Sequence, residues 1–332
     1  MNFFKSVIVV IFGFFLTLCA FMSAFAEAKL SITNYHQVFI PCLDQQGQLM
    51  IAIRMYYIDA TPYFLLVNPY TFLTQTSLAK FCAPNKDTAP AIPHYHYHTM
   101  QTLENTPYMQ ALVRYTVSTF YKIQNYGVTH AQSVVDGMFL TADMCPSRKA
   151  FEKDFFSTLV NLSEKQQHAI PIGLSVSGLW ILGHDKEFNW LVQQQKANKL
   201  QITWINHSFS HPYYNDLPLG NNFLLAKKIN FSSEILQTEK LLIENNQLPS
   251  VFFRFPGLVS DKKTITELSK FSLIPIGSDA WLAKDQTAKP GSIILVHGNG
   301  NEPEGIEKVL PLLQQPNVNL LPLNAIFLNF KN

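Results

Sequence analysis

Six polar residues stand at the ends of apolar runs: Asp143, His207, His211, Arg254, Asp279 and His297. Between them they could hydrolyse an acyl bond. A carboxylate beside a cation stays ionised and can take a proton from water. An imidazole can hand a proton to the leaving group. Two more imidazoles can hold a divalent metal, which polarises a carbonyl and stabilises the developing oxyanion.

The sharpest signal is Asn206-His207-Ser208-Phe209-Ser210-His211-Pro212. Two imidazoles at i, i+4 face one point if the segment makes a helical turn. The hydroxyls of Ser208 and Ser210 are then placed to orient the rings or the loop. A bare HxxxH is more often a pair of structural histidines. Its place after a strand and before a proline argues for ligands.

Residues so far apart meet only if the fold gathers them. From about Ser133 the chain alternates strand and helix patterns. Strands are expected at 138–143, 171–178, 201–206, 251–255, 272–277 and 292–297. Helices are expected at 151–162, around 188–197, at 222–245, 262–270 and near 304–313. Repeated β–α units imply a parallel sheet or barrel. Chemistry in such folds collects at the C-terminal ends of the strands, so all six residues would share one rim.

Residues 30–75 differ. Short apolar runs there are broken at Asp44–Gly47, Asp59–Pro62 and Asn68-Pro69, a β-rich pattern with hairpin-like breaks. Residues 83–93 read as a loop, and Tyr108–Asn125 can form an amphipathic helix. This region has no chemical motif, and one wall of a substrate groove is a place it could occupy. At the start, Lys5, the apolar run Val7–Leu18 and Ala24-Phe25-Ala26 read as a secretory signal peptide cleaved after Ala26. The run is short for a membrane anchor, so no stable span is expected after its removal. The chain divides into a signal peptide (1–26), an N-terminal β-rich region (27–130) and a catalytic region (131–332).

Hydrophobic residues make up 47% of the chain, ample for a core, and charged residues 14%. Net charge is +2 without a Lys/Arg block, so nothing points to nucleic acid or an anionic membrane as a partner. Beyond the leader, Cys42 and Cys82 could pair, leaving Cys145 free; export favours such a bridge. His94, His96 and His98 in HYHYH would share one face of a strand, but an exposed strand or linker is the better reading. Cys145 reads as a packing residue near Asp143, since a nucleophile would need a histidine base beside it.

The order of these motifs resembles the polysaccharide deacetylases, the NodB-like family of carbohydrate esterases, across 133–315. Thr141-Ala142-Asp143-Met144-Cys145-Pro146 is similar to T-F-D-D-G-P, and His207-Ser208-Phe209-Ser210-His211-Pro212 to H-[ST]-x-x-H-P. Arg254-Phe255-Pro256-Gly257 is similar to R-x-P-Y, and Ile293-Ile294-Leu295-Val296-His297 to the final strand ending in His. Gly277-Ser278-Asp279-Ala280-Trp281 is a degraded form of D-x-x-D-W, so Asp279 receives no catalytic role. The resemblance implies a distorted (β/α) barrel preceded here by the small β-containing region. It implies removal of N-acetyl or O-acetyl groups from a glycan such as peptidoglycan, an exopolysaccharide or a chitin-like oligomer. Asp143 would be the base, His297 the acid and Arg254 the partner of the base. Gly257 N–H would bind the oxyanion, and Trp281 could line a sugar wall. One divalent metal, zinc, would rest on His207 and His211. Met144 stands where the family's third ligand, an Asp, is expected. Two alternatives follow: an impaired relative that only binds glycan, or a metal-free amidase of the same fold acting on a non-sugar amide.

Overall fold

The computed structural model of the protein describes residues 29–82, 103–117 and 121–327. The expected signal peptide and the HYHYH histidines lie outside them. Among the described residues, no helix is long and apolar enough to cross a membrane.

Four strands come first: β1 (Ile32–Leu43), β2 (Leu49–Ile58), β3 (Thr61–Val67) and β4 (Thr74–Leu78). They form an antiparallel meander in chain order. The breaks expected from the sequence fall between them. Cys42 and Cys82 are joined by a disulfide, and Cys145 is free and buried.

Seven parallel strands follow: β5 (Phe139–Met144), β6 (Ile170–Val176), β7 (Leu200–Asn206), β8 (Pro249–Phe253), β9 (Ile274–Pro275), β10 (Ala280–Trp281) and β11 (Ile293–His297). Their order is β10-β11-β5-β6-β7-β8-β9. The two edges are consecutive in the chain, with only Ile276–Asp279 between them. That link reaches about 18 Å at full extension, whereas a flat sheet of this many strands is about 29 Å wide. The sheet must therefore curl on itself, which gives the distorted barrel.

Side chains of β5 alternate between two environments, as strand periodicity requires. Leu140, Ala142 and Met144 lie under the outer helices, packed in one core with Phe155, Phe156, Leu159, Ile306 and Val309. Burying one such large apolar side chain stabilises by about 1.5–3 kcal/mol. Thr141 and Asp143 point the other way, into the barrel, where Arg254 meets both.

The N-terminal sheet does not form a wall of the cleft. Ile51, Ile53, Leu65 and Val67 share a core with Phe139 and Ile293, the first residues of β5 and β11. The meander thus covers the barrel at the starts of its strands, the end opposite the rim. Arg54 fastens it there: its Nε and Nη2 donate to Glu239 at 2.6 and 2.9 Å, and its Nη1 to the Phe271 carbonyl at 2.8 Å.

Two helices differ from expectation. Pro107–Thr116 is helical, but 121–125 is irregular, with Gln124 in an isolated bridge to Val259 and Asn125 at positive φ. The segment 222–245 is not one helix. Two short 3-10 turns precede Phe231–Glu244, whose start is set by Asn230 accepting from Ser233 N at 3.0 Å.

Candidate active site

The rim at the C-terminal ends of the strands holds a cleft of about 670 Å³. Asp143, Cys145, His207, His211, Gly257, Trp281, His297 and Glu302 all line it. Asp143, next to last in β5, and His297, last in β11, stand in direct register on neighbouring strands. His207 follows β7 and Arg254 follows β8, with Arg254 N donating to the Asn206 carbonyl at 2.9 Å.

Arg254 is fully buried. Its Nη1 donates to Asp143 Oδ1 at 2.8 Å and to Thr141 Oγ1 at 2.8 Å, and its Nη2 to the Gly277 carbonyl at 3.1 Å. Burial alone would raise the Asp143 pKa, but Arg254, with His207 and His297 beside it, lowers it to about 2. Asp143 is therefore ionised at any physiological pH.

His297 Nδ1 lies 2.9 Å from Glu302 Oε2, which also accepts from Trp281 Nε1 at 2.6 Å. Burial opposes a charge on His297, yet Cys145, Glu302 and Asp143 outweigh it and push the pKa up to about 10. The imidazolium form persists at neutral pH. One rim thus presents a proton acceptor and a proton donor in the protonation states acyl hydrolysis needs.

The two sharp-motif histidines do meet, with ring centroids 4.7 Å apart. The helical turn expected between them is absent. Ser208 and His211 instead adopt positive φ (65° and 45°). Side chains hold that turn. Asn206 Oδ1 accepts from Ser208 N, and Ser208 Oγ accepts from His211 N. Glu234 accepts from Phe209 N, Ser210 N and Ser210 Oγ at 2.9, 2.8 and 2.6 Å. His207 Nδ1 faces the Arg254 carbonyl at 2.8 Å, which fixes its N–H there and turns the Nε2 lone pair into the cleft. His211 Nε2 is buried and has no hydrogen-bond partner among the described residues. A divalent metal suits this donor set: Cys145, His207 and His211 each bring a ligand atom, all within 4.8 Å of one another.

Three expectations change. Asp279 is not on this rim. It precedes β10, where its Oδ1 accepts from Ile293 N and its Oδ2 pairs with His130, at the starts of the strands. Met144 offers its thioether to the core rather than to the cleft. Cys145 is more than a packing residue: its Sγ lies 3.6 Å from His207 Nε2. Burial would raise its pKa, but His211, His207 and His297 hold the thiol well below its ordinary value.

Gly257 sits at φ 61°, a conformation that favours glycine, and a Cβ there would come within 2.4 Å of the Phe223 ring. Trp281 is half-buried at the cleft wall. Sequence reasoning did not single out Glu302, Glu234, Asn206 or Phe223. Of these, only Asn206 carried a local signal, as the residue opening the histidine motif.

Residues 33–109 match a protein-family model described as RP012 protein N-terminal domain. Among solved structures, the chain is similar to a family 4 carbohydrate esterase from Bacillus anthracis (16% identity, TM-score 0.42, covering 66% of this chain and 90% of that one). It is also similar to PdaA from Bacillus subtilis, another family 4 carbohydrate esterase (14%, TM-score 0.44, 66% and 88%). A third is BA3943, a CE4 family pseudoenzyme from Bacillus anthracis (13%, TM-score 0.40, 66% and 81%).

Proposed function

We propose that this protein is an exported deacetylase that hydrolyses N-acetyl or O-acetyl groups of a glycan, with catalysis assigned to residues 131–332. The observation that carries the reading is the pairing of Asp143 with Arg254 and of His297 with Glu302 on one rim. Asp143 takes a proton from the attacking water. The water oxygen bonds to the acetyl carbon, and the oxyanion is met by Gly257 N–H. His297 then gives its proton to the leaving amine or hydroxyl as the C–N or C–O bond breaks. A carboxylate held as low as Asp143 accepts a proton weakly. A divalent metal on His207 and His211, zinc by the resemblance, would supply polarisation of the carbonyl and acidification of the water. Trp281 offers an apolar face for a sugar ring. Export is supported by the N-terminal leader pattern and by the Cys42–Cys82 bridge, which persists in oxidising compartments.

The burial of Met144 away from the cleft favours one second reading, a glycan binder that has lost turnover. Acetate release from acetylated chito-oligosaccharides and peptidoglycan separates the two. It is measured with and without zinc or cobalt, and with Asp143→Asn as control. Metal-dependent release that vanishes in Asp143→Asn is the expected result. Retention of glycan without release would replace the enzyme by the binder. Ammonia in place of acetate would point to a non-sugar amidase.

A further inference from the structure

We propose that Cys145 is the third protein ligand of the metal site, so that this chain binds its metal through one thiolate and two imidazoles. The strand itself brings this about. Side chains of β5 alternate, so Met144, one residue after Asp143, must face the helices, and Cys145, two residues after, returns to the cleft. Cys145 is 5% exposed. Asn299 Nδ2 donates to its carbonyl at 2.7 Å, which fixes the backbone that carries it.

The spacing of Cys145 and His207 suits a metal. Tetrahedral zinc with Zn–S of about 2.3 Å and Zn–N of about 2.0 Å places sulfur and nitrogen about 3.5 Å apart. Cys145 Sγ and His207 Nε2 are 3.6 Å apart. His207 has already committed its other nitrogen to the Arg254 carbonyl, the arrangement that prepares an imidazole for ligation. His211 Nε2 is buried and, among the described residues, has no well-formed hydrogen bond, which leaves its lone pair for a metal. Three protein ligands leave one position open, as in catalytic rather than structural sites. The thiolate also changes the metal preference: a sulfur donor favours zinc, cobalt and cadmium over magnesium and manganese.

The inference shares the metal with the proposed deacetylase but concerns ligation alone, so it is read without substrate. The full chain is loaded with cobalt(II) and its absorption recorded. The expected result is one equivalent bound, with an intense near-ultraviolet thiolate-to-cobalt band. Cys145→Ser should lose the band and more than about a hundredfold in affinity, beyond the loss typical of removing a mere support of a ligand. Cys145→Asp should keep one equivalent without the band, and should lower the ratio of cadmium to manganese affinity at least tenfold. Circular dichroism of both variants checks that they are folded. Failure of the wild-type chain to bind cobalt, binding without the band, or a band that survives Cys145→Ser would each overturn the proposal. A band without acetate release would remove the deacetylase and leave the ligand set. Acetate release from a chain with no band would do the reverse.

Discussion

The Asp143 carboxylate and the Arg254 guanidinium, both buried, meet at 2.8 Å in the barrel. Arg254→Met would strand a buried negative charge, a loss that typically costs about 3–5 kcal/mol. Asp143 would respond by binding a proton, and acetate release would fall with it. The double variant with Asp143→Asn should recover part of the stability, because neither charge is then left alone. Denaturant unfolding of the single and double variants provides the coupling; simple additivity would deny that the pair acts as a unit.

Asp143 also sets an acid limit to stability. Its pKa falls from 3.8 to about 2 on folding, which corresponds to about 2.5 kcal/mol. Because the folded value is the lower one, this contribution is fully present above pH 3.8 and is lost as pH falls through about 2. Asp143→Asn should flatten the dependence in that window. An unchanged slope would mean that other carboxylates dominate acid unfolding.

His297 runs in the opposite sense. Its folded pKa is raised, so its contribution is present below 6.5 and lost as pH rises through about 10. Glu302→Gln removes the carboxylate 2.9 Å away and should lower that pKa. Activity that needs the imidazolium would then fall off at lower pH than in the wild type. The expected signature is a shifted alkaline limb of the kcat profile with KM little changed. A uniform loss at all pH values would instead make Glu302 a purely structural support.

Much of this site was legible in the sequence because apolar strands ended in polar residues that a parallel fold must bring together. Where the reading failed, the causes were local. Asp279 was placed on the rim because 272–277 looked like one strand. Only Ile274–Pro275 pairs as β9, and the chain then crosses to the start of β10. Cys145 reads as packing because no histidine base stands beside it in the sequence, although counting by two from Asp143 puts it in the cleft. The long helix expected over 222–245 ignored Asn230, a cap whose side chain was visible in the sequence. Glu234 acts across tertiary distance, and Glu302 reaches back to His297 from the loop after β11, a pairing that no regular helix or strand spacing announces.

The buried Arg54–Glu239 pair predicts a stability defect separable from catalysis. Both side chains are essentially inaccessible, and they join β2 to the helix Phe231–Glu244 at the end remote from the cleft. Glu239→Gln should destabilise by about 3–5 kcal/mol, while the remaining folded protein keeps its kcat. A normal midpoint with lost turnover would contradict this division of labour.

Glu234 predicts the reverse, a modest stability loss with a large effect at the metal site. Its carboxylate, in the first turn of Phe231–Glu244, accepts from two consecutive backbone N–H groups and one hydroxyl in the loop between His207 and His211. A carboxylate is favoured there by the helix dipole. Glu234→Ala leaves those donors without their acceptor, at about 1–3 kcal/mol. It also releases the loop that holds His211 at positive φ. Affinity for zinc should fall by about 10- to 100-fold, the range seen when groups that orient ligands are removed. Glu234→Gln keeps a single carbonyl acceptor and should recover part of that affinity. Zinc competition against a chromophoric chelator, run on all three forms, is the check. Equal affinities would mean that Asn206 and Ser208 hold the turn without it.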